Sequence, residues 1–274
     1  MKIQQILEDY MSTIFEHIGF HLNNEEDVYR LADFTMNAGK IFLTQDGFYA
    51  CYVNASGSEV WCRMALEHDS HKTTLLNIDP HFNGNHIWKL KVGQPLMGDD
   101  FLDAKYVLYT EDEKQFITAR VMGVGALHDF QEDHLYHFQV AMIPHAIEFF
   151  QNEDEYREMT GDQETIPGVL FPYGMYSSMM VNAIDEEDSV ARTEILLTRV
   201  LCHIRSCERR QMELDGERFG GFYHLVAETP FGPLDIASSQ GCESGEMALV
   251  TGCLSAKVMN SKRIEEEKTE HTKG

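Results

Sequence analysis

The residues best equipped for chemistry are histidines interleaved with carboxylates. Eight of the thirteen histidines fall between positions 68 and 145. The densest stretch runs Glu67-His68-Asp69-Ser70-His71, then Asp79-Pro80-His81, then His86. A divalent transition metal wants imidazole nitrogens and carboxylate oxygens converging on one point, and a His-x-x-His pair can chelate from a turn. His68, His71, Asp79, His81 and His86 are therefore the candidate metal ligands, and the enzymatic reading they support is a metal-dependent hydrolase. Spacing weighs against it. Residues three apart on a strand point to opposite faces, so His68 and His71, like His134 and His137, could share an ion only from a turn. Histidines on surface loops, resting against carboxylates, account for the same pattern. No cofactor is expected, a divalent metal being the alternative.

Nucleophilic and nucleotide chemistry find no motif. There is no Gly-x-Ser-x-Gly elbow and no Gly-x-x-x-x-Gly-Lys phosphate loop. Gly123-Val124-Gly125 lacks the third glycine of a dinucleotide fingerprint and reads as a turn at a strand end. None of the six cysteines forms a Cys-x-x-Cys pair, and they read as small buried hydrophobes kept reduced.

A second candidate lies in 151–190, which carries ten carboxylates against one base, Arg157. Glu153, Asp154 and Glu155 flank it on one side and Asp185, Glu186, Glu187 and Asp188 on the other. Between them lies an apolar insert with Tyr173, Met175 and Tyr176. Aromatic side chains concentrate interface energy and rim charges steer encounter, so this segment reads as a docking arm for a basic partner. The competing reading is a connection that packs onto its own protein.

Charge sets the wider frame. Forty-five Asp and Glu against 22 Lys and Arg give a net charge of −23, while 43 % of the residues are hydrophobic. That hydrophobic share is too high for a disordered acidic tail, so the chain is expected to fold. Its field repels phosphate backbones and anionic membranes, which makes nucleic acid an unlikely partner. No apolar run approaches a membrane span, and the amino terminus places Glu8 and Asp9 where a signal peptide needs apolar residues. The expected compartment is cytoplasmic.

The elements that must position these residues begin with helices. Ile3, Ile6, Leu7, Tyr10, Met11, Ile14, Phe15 and Ile18 form one apolar stripe stopped by Gly19. Asn23 with Glu26 reads as a capping box for a second helix, with Val28, Leu31, Ala32 and Phe34 inward and Gly39 as terminator. From Ile41 the period changes to two. Residues 48–53 and 59–66 flank a turn-rich loop as a hairpin, and 86–92, 105–110, 115–121 and 135–143 are further strands. Strands resume at 195–206, 222–228, 234–237 and 247–259. Because 104–143 and 195–259 both end in an acidic loop followed by a long apolar strand, two related β-units are expected.

The fold class expected is α+β and β-rich: an N-terminal helix pair followed by antiparallel β-units, read as small OB-like barrels. The chain divides at 1–95, 96–150, 151–190 and 191–260, with a flexible tail at 261–274. The function expected is a non-enzymatic, acidic protein-interaction module of the immunity-protein or adaptor kind, binding a basic protein. The alternatives are the metal-dependent hydrolase and an oligomeric structural or carbohydrate-binding module.

Overall fold

The computed structural model describes residues 13–45, 47–66, 73–96, 105–127, 129–174, 196–214 and 217–259. Residues 13–16 are helical, and the helix closes as the stripe of apolar residues predicts. Phe20 N–H donates to Phe15 O and Gly19 N–H to Glu16 O, with Gly19 at φ +88°, a left-handed stop that favours glycine. Helix α1 (Glu25–Ala38) follows. Its cap is Asn24, one residue later than expected: Asn24 Oδ1 accepts from Asp27 N–H at 3.0 Å, while the Asp27 carboxylate accepts from Asn23 N–H. Gly39 ends it as predicted, donating its N–H to Thr35 O. Leu31 and Ala32 point into the protein, and Phe34 packs edge-on against Tyr52.

Strands dominate everything that follows. β1 (Lys40–Leu43), β2 (Gly47–Val53), β3 (Ser58–Leu66) and β4 (Thr73–Phe82) form a four-stranded antiparallel sheet in chain order. The hairpin read from sequence is β2–β3, closed by Asn54 N–H to Ser58 O and Gly57 N–H to Asn54 O. β4 was not foreseen. Pro80 interrupts its alternation, yet β4 pairs only with β3, and an edge strand tolerates a residue without an N–H.

The second sheet uses β5 (Ile87–Pro95), β6 (Lys105–Tyr109), β7 (Phe116–Val121), β8 (Leu135–Phe150), β9 (Leu197–Leu214), β10 (Glu217–Thr229), β11 (Gly232–Ser238) and β12 (Met247–Val258). A short 3-10 turn at Val124–Ala126 and helix α2 (Glu153–Thr160) interrupt the series. The eight strands close into a ring in the order β10-β11-β8-β5-β6-β7-β12-β9, with β8 also paired to β12. Both expected β-rich stretches, 96–150 and 191–260, contribute to this one ring instead of each closing separately.

Its connectivity repeats. β8-β5-β6-β7 is an antiparallel run, and so is β12-β9-β10-β11. The last strand of each run then pairs in parallel with the other run's long strand, β7 with β12 and β11 with β8, and the long strands pair antiparallel along their length. Every strand pairing in one half has its counterpart in the other. The related endings noted in the sequence are thus β8 and β12, the two strands exchanged between halves.

Alternation fills the ring. On β8, Tyr136, Phe138, Val140 and Met142 point inward with Leu90, Val200 and Leu254, whereas Ala141 and Ile143 point outward. Those outward residues are not exposed, because the four-stranded sheet, α1 and residues 14–22 cover them in a second apolar cluster that includes Phe15, Val60, Phe82 and Phe222. No helix among the described residues is long and apolar enough to cross a membrane.

Candidate functional site

Asp79, His81 and His86, three of the five residues proposed as metal ligands, lie where the sheet meets the ring. β4 runs across the outside of β7, β12, β8 and β11, and its ring-facing side chains each meet a different strand. Asp79 pairs with Arg120 of β7 and lies 3.8 Å from Arg63. His81 sits between Ser255 Oγ of β12 at 2.7 Å and Gln139 Oε1 of β8 at 2.6 Å. Gln139 Oε1 can only accept, so His81 carries its proton on Nε2 and accepts from the serine hydroxyl at Nδ1. Beyond the end of β4, His86 gives both its backbone N–H and its Nδ1–H to Asp235 of β11, each at 2.9 Å. From the neighbouring strand β3, buried Glu59 pairs with Lys257 of β12 and accepts from Trp61 Nε1 at 3.0 Å.

This seam places three of the five candidate metal ligands. Asp79, His81 and His86 stand along one line, each spent on its own partner, and they do not converge. Among the described residues no group of three or more His, Cys, Asp or Glu is arranged to hold a metal ion. His68 and His71 lie outside the described residues.

One group along this line retains chemical capacity. Asp235 is 0 % exposed, and its Oδ1 accepts from His224 Nε2–H at 2.7 Å as well as from His86. Burial works to raise its pKa, but the hydrogen bonds from His224 and from the His86 backbone and ring outweigh it and hold the carboxyl below its ordinary value. Gly84 makes the approach possible, since a Cβ there would overlap the Asp235 carboxylate. With Nδ1–H committed to Asp235, the half-buried His86 ring is left with Nε2 as its proton acceptor, and it lines an open concavity with Asn85, Arg205, Ser206, Glu208 and His224. Sequence reading missed Asp235 and His224. Their one visible signal was an acid inside the apolar run Leu234-Asp235-Ile236-Ala237.

The acidic segment is built differently. Asn152 caps α2 by accepting from Glu155 N–H at 3.0 Å. Glu153 is tied to Arg157, Glu155 accepts from Gln151 N–H, and Asp154 is exposed. Tyr156, the helix's buried residue, packs edge-on against Phe150 of β8. The chain then lies along β9: Gly168 N–H donates to Leu201 O, and Phe171 and Arg199 exchange backbone hydrogen bonds at 2.8 Å. Leu170 enters the ring's core, while its neighbours Val169, Phe171 and Tyr173 remain outside. Val169 and Phe171 border an open groove of ≈ 270 Å³ whose walls also include Lys114, Phe116, Pro230 and Phe231. Met175, Tyr176, Asp185, Glu186, Glu187 and Asp188 lie outside the described residues.

No family model, curated protein or solved structure matches this chain. Its chemistry is therefore read from its own residues.

Two predictions follow from the line of polar contacts. Burial holds His81, His17 and His145 near pKa 4 instead of 6.5, His17 being lowered further by His145. Between about pH 6.5 and pH 4 the unfolded chain binds protons that the folded chain refuses, so stability falls as pH falls through that window. The fully buried His81 accounts for about 3 kcal/mol of the loss. Urea unfolding from pH 7.5 to 4.5 should show this decline and His81→Gln should flatten it; an unaltered slope in the variant would clear His81. Asp235→Asn removes the acceptor shared by two imidazoles and should cost about 2–4 kcal/mol of unfolding free energy. A cost below about 0.5 kcal/mol, the range of neutral surface changes, would show that the imidazoles do not depend on the carboxylate.

Proposed function

We propose that this chain is a non-enzymatic docking protein that binds a basic protein partner through the groove beside 166–173. The observation that carries this reading is the concentration of exposed apolar side chains in one short stretch: Met159 at 71 %, Ile166 at 65 %, Val169 at 43 %, Phe171 at 40 % and Tyr173 at 44 %. Val169 and Phe171 share one groove wall, and exposed apolar surface gathered in this way marks interaction sites in proteins. Its occupant is set by charge. Exposed Asp154, Glu158 and Glu164 border the stretch, and the chain carries −23 overall. A partner that presents apolar side chains flanked by Lys and Arg gains both burial and steering, and nucleic acid gains neither. Backbone bonds to β9 fix the ridge before any partner arrives, which lowers the ordering cost of binding.

The probe is a synthetic peptide of alternating Lys and Leu/Phe residues, compared with its Glu-for-Lys counterpart by calorimetry and stopped-flow. The cationic peptide should bind and the anionic one should not. Phe171→Ala with Tyr173→Ala should weaken binding at least about tenfold, the scale expected for aromatic anchors. Asp154→Asn, Glu158→Gln and Glu164→Gln together should slow association and flatten its salt dependence. Equal affinity in the aromatic variant would overturn the proposal. So would a dimer by light scattering that the same variant dissolves, because the ridge would then belong to a second copy of this chain.

A further inference from the structure

The six cysteines divide into two kinds. Cys51, Cys62 and Cys202 are buried, and burial raises all three thiols, Cys62 and Cys202 to about 12. Cys207, Cys242 and Cys253 are half-buried. Cys253 faces His145, with Sγ 3.5 Å from Nε2. Cys207 on β9 and Cys242 in the loop between β11 and β12 are in contact: Cys242 N–H donates to Cys207 Sγ at 3.4 Å.

The sulfurs are held together by a frame that owes nothing to them. Gly245 N–H donates to Ile204 O at 2.8 Å and Ile204 N–H to Glu246 O at 2.9 Å, fastening the loop to β9. At its other end, Ser239 N–H donates to His17 Nδ1 at 2.9 Å. Cys207 Sγ is thus seated against the main chain of Cys242 in a loop already fastened to β9, and proximity of this kind is the first condition a disulfide must meet.

We propose that Cys207 and Cys242 are an oxidative modification site, joined by a peroxide into a disulfide that locks the β11–β12 loop onto β9. The two cysteines have unequal roles. Cys207 Sγ accepts the Cys242 backbone N–H and is the sulfur assigned the first attack. Burial first, and then the charge on Cys207, push the Cys242 thiol up to about 12, so it keeps its proton. The Cys207 thiolate attacks one peroxide oxygen, breaking the O–O bond to give a sulfenic acid and hydroxide. Cys242 sulfur then attacks the sulfenic sulfur; the S–S bond forms, the S–O bond breaks, and the thiol proton leaves with the hydroxyl as water. Two electrons pass from the sulfurs to the peroxide and the atoms balance.

The test exposes the reduced, folded protein to equimolar hydrogen peroxide, blocks remaining thiols with N-ethylmaleimide, and maps peptides by mass. The expected product has lost two hydrogen atoms and leaves two of the six thiols unalkylated, within one linked peptide pair carrying 207 and 242. Cys242→Ser should halt at a Cys207 sulfenic acid that dimedone captures, and Cys253→Ser should leave the cross-link intact. Oxidation confined to Cys253, with 207 and 242 both still alkylated, would overturn the assignment. So would a disulfide between chains.

Discussion

The passage of β4 across the ring's outer wall buries Glu59, Asp79, His81 and Asp235 and half-buries His86. A buried polar atom without a partner costs far more than a surface one, so each must be answered from the facing strand. Arg120, Ser255, Gln139 and Asp235 do so for Asp79, His81 and His86, and Lys257 does so for Glu59. The apolar cluster around Phe15, Val60, Phe82 and Phe222 supplies the driving force for this packing, but apolar contact tolerates sliding. Polar pairs on four ring strands do not. A shift of β4 by one residue would take Asp79 and His81 away from their partners, so the seam fixes how the four-stranded sheet sits on the ring.

The same seam explains where sequence reading stopped. The Gly19 stop, α1, the hairpin around 54–57 and most ring strands were legible because their alternation and turn residues are local. β4 was not, since Asn77, Asp79 and His81 alternate with apolar residues as they would on a strand facing water or in a polar loop. A side chain that hydrogen-bonds to another sheet and one that bonds to solvent are written with the same letters. The convergence of His86 on Asp235 joins positions far apart in the chain, and no pattern within a window can contain it. The exposure of Tyr173 and of Asp154 on α2 was easier to read, because an aromatic beside carboxylates needs no distant partner to be noticed.

Charge and fold divide the molecule's labour. Within the ring and seam, ionisable groups are matched and immobilised. On the outside, the excess of carboxylates over bases is left largely to solvent, where it repels polyanions and other copies of the chain. The ridge at 166–173 stands at the border of the two regimes, anchored by Leu170 in the core yet showing aromatic surface outward.

The exchange of long strands between the two halves of the ring has a kinetic meaning. Neither β5–β8 nor β9–β12 can close alone, because β7 needs β12 for a neighbour and β11 needs β8. During synthesis, β8 emerges well before the strand that pairs along its length, and its edge stays open in the interval. Pairings this distant in sequence slow folding and prolong the exposure of apolar edges. A chain carrying −23 keeps its half-made copies apart while they wait. The surface charge of the finished protein thus also guards its assembly, from the first ring strand made to the last.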